Sequence, residues 1–147
     1  MAKFKFRLQT FLNLKEQFEK NAKNELGIAI KKLEEEKAKL VAIEKEIESS
    51  LSKFRDACQG NIVPEKIKEL KRYLEYLDKK QQEQILNVKR EQQNVDKIRE
   101  KLVEIMKERK VLENLKDKDF QEFVKEEEKV ERQLVDELVS YKEAAKR

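Results

Sequence analysis

The 147-residue chain has no histidine, no tryptophan, one cysteine, one proline and two glycines. Without histidine it lacks the commonest metal ligand and the side chain best suited to proton transfer near neutral pH. Cys58 has neither a second cysteine to pair with nor a histidine to activate it, which excludes an internal disulfide and a cysteine–histidine nucleophile. Beside a turn it reads as a small, buried or half-buried residue, and one unpaired cysteine fits a reducing compartment. Gly27 and Gly60 stand alone, so no glycine-rich loop can cradle a phosphate. No apolar run approaches the length of a membrane span, and Met1-Ala2-Lys3 leads directly into an apolar-periodic segment without a signal core. The expectation is a complete, unprocessed cytoplasmic protein that does not insert into a membrane. Long runs of one charge are lacking too; no run exceeds an acidic triplet such as Glu126-Glu127-Glu128. A nucleic-acid arm would show a basic run or stripe. The aromatic and basic residues of Phe4-Lys5-Phe6-Arg7 read instead as core alternating with solvated face, and no nucleic-acid partner is expected.

What the chain has is charge: 45% of residues are charged and 38% hydrophobic, with 35 basic against 31 acidic side chains. High charge and low hydropathy often mean disorder. Here the signs nearly balance and the apolar residues recur at helical spacing, which points to long helices or a coiled coil. Carboxylates are abundant, but on solvated helices they lack the desolvated pocket that tunes an acid or base. The chain therefore reads as non-enzymatic, without cofactor or metal.

Gly60-Asn61-Ile62-Val63-Pro64 is the one stretch where a glycine and a proline fall close together. Gly60 can close a helix in the left-handed conformation, and Pro64 suits the first turn of the next. Glu65 then sits at that helix's positive end. The prediction is an all-α fold: an antiparallel two-helix coiled-coil hairpin forming a single unit over 1–147. One helix spans about residues 4–58, the turn 59–64, and a longer second helix 65–145.

In the first helix, Phe4, Phe11 and Phe18 lie seven apart and, with Leu8 and Ala22, suggest an aromatic seam. Leu26, Leu33, Leu40, Ile47 and Phe54 form a second heptad run, with Ala29, Ile43 and Leu51 at the other seam position. The step from Phe18 through Ala22 to Leu26 is four plus four, which predicts a stutter. Gly27 beside it suggests close approach of the partner helix. The second helix carries Leu70, Leu74, Leu77, Val88, Val95, Ile98, Leu102, Ile105 and Leu112, interrupted by Gln81 and Gln84. A new phase, Phe123, Val130, Leu134, Leu138 and Tyr141, begins near Phe120, so a kink, stutter or end of pairing is expected around Lys116 and Asp119.

At 1.5 Å per residue the first helix can cover the second only to about Asp119. The apolar stripe from Phe120 onward then has no partner in the chain, and an uncovered stripe marks a binding surface. Residues 3–24 carry six basic and two acidic side chains, net +4; residues 97–116 carry seven and four, net +3. Residues 117–137 carry four basic and nine acidic, net −5. The end of the hairpin is polarised.

The opening Phe4-x-Phe6-x-Leu8-Gln9-x-x-Leu12-x-Leu14-Lys15-Glu16 resembles that of the FliJ family, the small coiled-coil subunit of the bacterial flagellar export apparatus. Val111-Leu112-Glu113-Asn114-Leu115-Lys116-Asp117-Lys118 and Glu131-Arg132-Gln133-Leu134-x-Asp136-Glu137 are similar to the family's later blocks. The resemblance implies an antiparallel hairpin shaped like the central stalk of F- and V-type ATPases. Its joined ends would enter the ring of the export ATPase, FliI, and promote ring assembly and activity. It implies further contacts with the export-gate membrane protein FlhA and with chaperones of exported subunits, at the cytoplasmic side of the membrane apparatus. The matching ATPase-side positions are Phe4, Phe6, Leu8, Gln9, Leu12, Phe123, Leu134 and Leu138. The gate-side positions are Tyr73 and Leu77; Glu46 and Ser50 stand where the family's first helix carries aromatics. Alternative readings are an injectisome stalk counterpart and a generic scaffold that oligomerises through its overhang.

Overall fold

A computed structural model describes residues 2–146. The described residues form two helices, α1 (Gln9–Ala57) and α2 (Pro64–Ala145), with no strand among them. They make an antiparallel hairpin with the second helix the longer. The turn is built as its residues dictate. The Cys58 N–H donates to the carbonyls of Phe54 and Arg55, at 3.1 and 3.2 Å, closing α1. Gly60 follows at φ +73°, a left-handed position where a side chain would be strained. Pro64 is the first residue of α2, and the Val63 carbonyl accepts the Ile67 N–H at 3.3 Å. Glu65 is the one acid in that first turn. Cys58 is exposed, not buried as its position beside the turn suggested; α1 ends at Ala57, so the seam no longer governs where its side chain goes.

The fold divides into two compact units, residues 21–102 and residues 1–20 with 103–147. In the 21–102 unit, burial on α1 advances in alternating steps of four and three from Ala22 through Leu26, Ala29, Leu33, Glu36, Leu40, Ile43, Ile47 and Ser50 to Phe54. That is an unbroken heptad seam. Ser50, not Leu51, holds the position three beyond Ile47; Leu51 is exposed because it stands one residue past the stripe. On α2 the facing stripe runs from Ile67 through Leu70, Leu74, Leu77, Gln81, Gln84, Val88, Glu91, Val95 and Ile98 to Leu102. The tightest packing is where Val95, at 0% exposure, meets Ala29 and Leu33, with Leu26, Ile30, Val88 and Ile98 around them.

Gln84 interrupts the apolar seam and is buried. Its Nε2 donates to the Glu36 backbone carbonyl at 2.8 Å and to the Glu36 carboxylate at 2.5 Å. Its Oε1 accepts from Asn87 Nδ2 at 3.3 Å. A buried amide with partners at both ends specifies register, because a slip of one turn would strand it. The hydrogen bond from Gln84, with a second from Lys39, holds the Glu36 carboxyl below its ordinary range. This interaction favours the fold above that range and fades as the pH falls through the lowered pKa. Exposed cross-helix pairs, Lys32–Glu91 at 3.5 Å and Lys101–Glu25 at 3.7 Å, agree with the same register and add little stability.

Gly27 is exposed, and a Cβ placed there meets nothing within 4 Å, so no close helix approach occurs at that point. Leu33→Ala and Leu102→Ala should each lower stability by about 2–4 kcal/mol through lost burial and a residual cavity. Gly27→Ala should raise it by about 1 kcal/mol, since a mid-helix glycine gains nothing from its missing side chain. Urea denaturation followed by far-UV circular dichroism measures all three; equal midpoints would contradict the seam assignment.

Candidate protein-binding surfaces

In the unit of residues 1–20 and 103–147, the chain before Gln9 is not helical. The expected helix start at Phe4 is corrected to Gln9, where the N–H donates to the Phe6 carbonyl at 3.1 Å. Non-helical chain covers up to about 3.3 Å per residue against 1.5 Å in a helix. The opening residues therefore reach beyond the expected limit at Asp119. The Phe4 ring meets the rings of Phe120 and Phe123, with centroids 5.3 and 5.5 Å apart. Phe6 is buried, and Leu8 lies half-buried in the turn that enters α1.

The seam runs from Leu8, in the entering turn, through Leu12, Lys15 and Glu19 of α1, again at steps of four and three. The same alternation leads from Glu19 to Ala22, so α1 has no stutter. The aromatic seam expected from Phe4, Phe11 and Phe18 is not formed: Phe11 is 58% and Phe18 41% exposed. Sequence spacing favoured the phenylalanines because the true seam holds two charges. Those charges find partners on α2. The Lys15 ammonium pairs with the Glu108 carboxylate, and the buried Glu19 carboxylate pairs with Arg109. Arg109 Nη1 also donates to Glu113 Oε1 at 2.6 Å. Arg109 Nε is the atom that meets the Glu19 carboxylate. The Glu113 hydrogen bond, ahead of the Glu19 charge, holds the Arg109 guanidinium pKa above its usual value.

On α2 the seam continues through Ile105, Arg109, Leu112, Lys116 and Asp119 to Phe123, all half-buried, without the expected kink or change of phase. Cover thins past Val124, and Glu127 is the last half-buried residue of α2. Beyond it Val130, Leu134, Val135, Leu138, Val139 and Tyr141 are all exposed on one continuous helix. Of the ATPase-side positions, Phe4, Phe6, Leu8, Leu12 and Phe123 thus pack the base of this unit. Gln9 donates to Asn13 Oδ1 at 2.8 Å. Leu134 and Leu138, at 55% and 62% exposure, face solvent. Phe11, Leu14 and Phe18 form a second exposed face at spacings of three and four. It is legible in the sequence only once these residues are removed from the seam.

In the 21–102 unit, the gate-side pair separates. Leu77 is 2% exposed and is core. Tyr73 is exposed and stacks on Tyr76, with ring centroids 6.2 Å apart. Lys80 lies over the Tyr76 ring at 5.9 Å. Tyr76 stands three residues after Tyr73, a spacing that puts both on one face of α2. Glu46, on α1, accepts the Tyr73 hydroxyl at 2.9 Å, while Ser50 is buried. That hydrogen bond, with lesser help from desolvation, raises the Tyr73 pKa.

No group of acidic or cysteine side chains among the described residues could hold a metal ion. No helix among them is long and apolar enough to cross a membrane. Two long antiparallel helices with exposed apolar faces define a helical-hairpin protein. The model of the family described as "Flagellar FliJ protein" matches residues 4–147, and the chain belongs to that family. It is therefore a component of the flagellar export apparatus. No curated protein and no solved structure matches it.

Two measurements test this geometry. Glu19→Gln and Arg109→Met should each lower the denaturation midpoint, because each removes one partner of the pair and leaves the other's charge less well matched. The double variant should cost clearly less than the two together, a coupling that a double-mutant denaturation cycle reads directly. In an alkaline titration followed by tyrosinate absorbance, one of the three tyrosines should ionise late, and Tyr73→Phe should remove that step. The Tyr73–Glu46 bond supports the fold below the ordinary tyrosine pKa and is lost as the pH rises through the raised one.

Proposed function

We propose that the protein acts as the stalk of the flagellar export ATPase. The α2 segment beyond Val124 seats in the ring of a FliI-like ATPase and promotes its assembly and activity. The observation that carries this reading is the apolar stripe of Leu134, Leu138 and Tyr141, continued from a paired base onto a helix with no cover in its own unit. An uncovered apolar helix of this kind is marginal in water and gains by entering a partner. The acidic side chains among those residues orient it, because charge at an interface steers approach and fixes register more than it adds affinity. Phe4, Phe6, Leu8, Gln9, Leu12 and Phe123 serve by clamping the base that presents the segment. A stiff base lets the inserted helix favour one ring conformation over another. The exposed Tyr73 and Tyr76 are the surface offered to a FlhA-like export gate, with Leu77 as the packing beneath them. Chaperones of exported subunits are the remaining class of partner, and the reading places the protein at the cytoplasmic side of the export apparatus.

Removing residues 129–147, or replacing Leu134 and Leu138 together with serine, should reduce stimulation of the cognate export ATPase at least tenfold. The base would keep its helicity by circular dichroism. Tyr73→Ala with Tyr76→Ala should leave that stimulation intact and weaken capture of the gate's cytoplasmic domain. A truncated protein that stimulates the ATPase like the full chain would rule out this segment as the ring-binding element.

A further inference from the structure

Two exposed apolar faces belong to the unit of residues 1–20 and 103–147, and neither is covered by an apolar neighbour there, although the Lys15 ammonium lies 5.7 Å from the Phe18 ring centre. One is Phe11, Leu14 and Phe18 on α1; the other is Val130, Leu134 and Leu138 on α2. They match in length, each extending about two helical turns. They are opposite in charge. Residues 3–24 carry six basic and two acidic side chains, net +4, and residues 117–137 four basic and nine acidic, net −5. The acid is on the apolar side of the overhang: Glu127 and Glu131 stand three residues before Val130 and Leu134, on the same helical face. The basic segment keeps Lys5, Arg7 and Lys20 exposed, while two of its charged seam residues, Lys15 and Glu19, are engaged with α2.

We propose that two copies of this chain associate reciprocally, each laying its α2 overhang along the Phe11–Leu14–Phe18 face of the other. In a two-fold arrangement each overhang runs in the same direction as the other copy's α1 and antiparallel to its α2. Acid then meets base at both contacts, and the two acidic segments lie apart. A direct pairing of the overhangs would set net −5 against net −5, which like-charge repulsion opposes. Full cover of both faces, counted at both symmetric contacts, removes on the order of 1,000 Å², the low end for a specific interface. The pair is therefore weak and reversible, dissociating in the micromolar range or above. Because it covers Leu134 and Leu138, it would compete with ring insertion; that consequence rests on the function proposed above, whereas the association itself does not.

Analytical ultracentrifugation of the full chain without ATPase, at several hundred micromolar and low salt, should show a monomer–dimer equilibrium that shifts to monomer as salt screens the charges. Lys5→Glu with Arg7→Glu, and separately Glu127→Lys with Glu131→Lys, should each weaken association at least tenfold. An equimolar mixture of the two charge-reversed proteins should regain it as a heterodimer, an outcome that loss of folding could not produce. Phe11→Ser with Phe18→Ser should abolish the dimer and leave ATPase stimulation at least equal to that of the unaltered chain. A chain that stays monomeric at these concentrations, or charge-reversed variants that fail to associate when mixed, overturns the proposal and leaves the ring reading standing. Loss of ATPase stimulation in the Phe11 and Phe18 variant would give that face to the ATPase and also overturn it. A dimer behaving as described, with no effect of removing residues 129–147 on the ATPase, would instead support the association and defeat the ring reading.

Discussion

A pair of helices has one seam, and each helix can shield only one stripe of the other. This constraint governs the whole chain. There is no second layer to bury a misplaced apolar side chain or to take up a polar one. Every residue at a step of four or three along the seam is confined, whatever its chemistry. Leucine, valine and alanine satisfy that confinement by burial. Gln84, Glu19, Lys15 and Arg109 satisfy it only by finding polar partners, as Gln84 does with Glu36 and Arg109 with Glu19 and Glu113.

These polar layers trade stability for specificity. An all-leucine seam would bury more apolar surface, but neighbouring registers would differ little in energy. A buried amide bonded to one particular backbone carbonyl does not tolerate a slip. The same logic explains the clasp at the base. Phe4 leaves the helical path and lies on Phe120 and Phe123, which carries cover along α2 farther than a helical start would allow. Where that cover stops determines how much of α2 stays exposed.

Function in such a protein follows from what the seam leaves over. The apolar residues beyond Val124, the Phe11 face and the Tyr73–Tyr76 pair all lie outside the stripe that the partner helix can shield. A charged, solvated surface keeps the rest of each helix inert toward association, so these apolar exceptions are where binding free energy is available.

The sequence by itself determined the two helices, the turn at Gly60 and Pro64, the greater length of α2 and the amphipathic continuation past the paired region. Those follow from local conformational preference and hydrophobic period, which need no knowledge of the partner helix. It also placed Gln81 and Gln84 at seam positions. Only the tertiary structure decided that Lys15 and Glu19, not Phe11 and Phe18, face α2, and that the residues before Gln9 form a non-helical clasp. Hydropathy spacing assigns a charged residue to solvent unless a partner is known, and the partners Glu108 and Arg109 lie some ninety residues away along the chain. Leu77 is legible as seam from its spacing with Leu70 and Leu74, whereas the hydrogen bond from Tyr73 to Glu46 depends on how α1 and α2 pack.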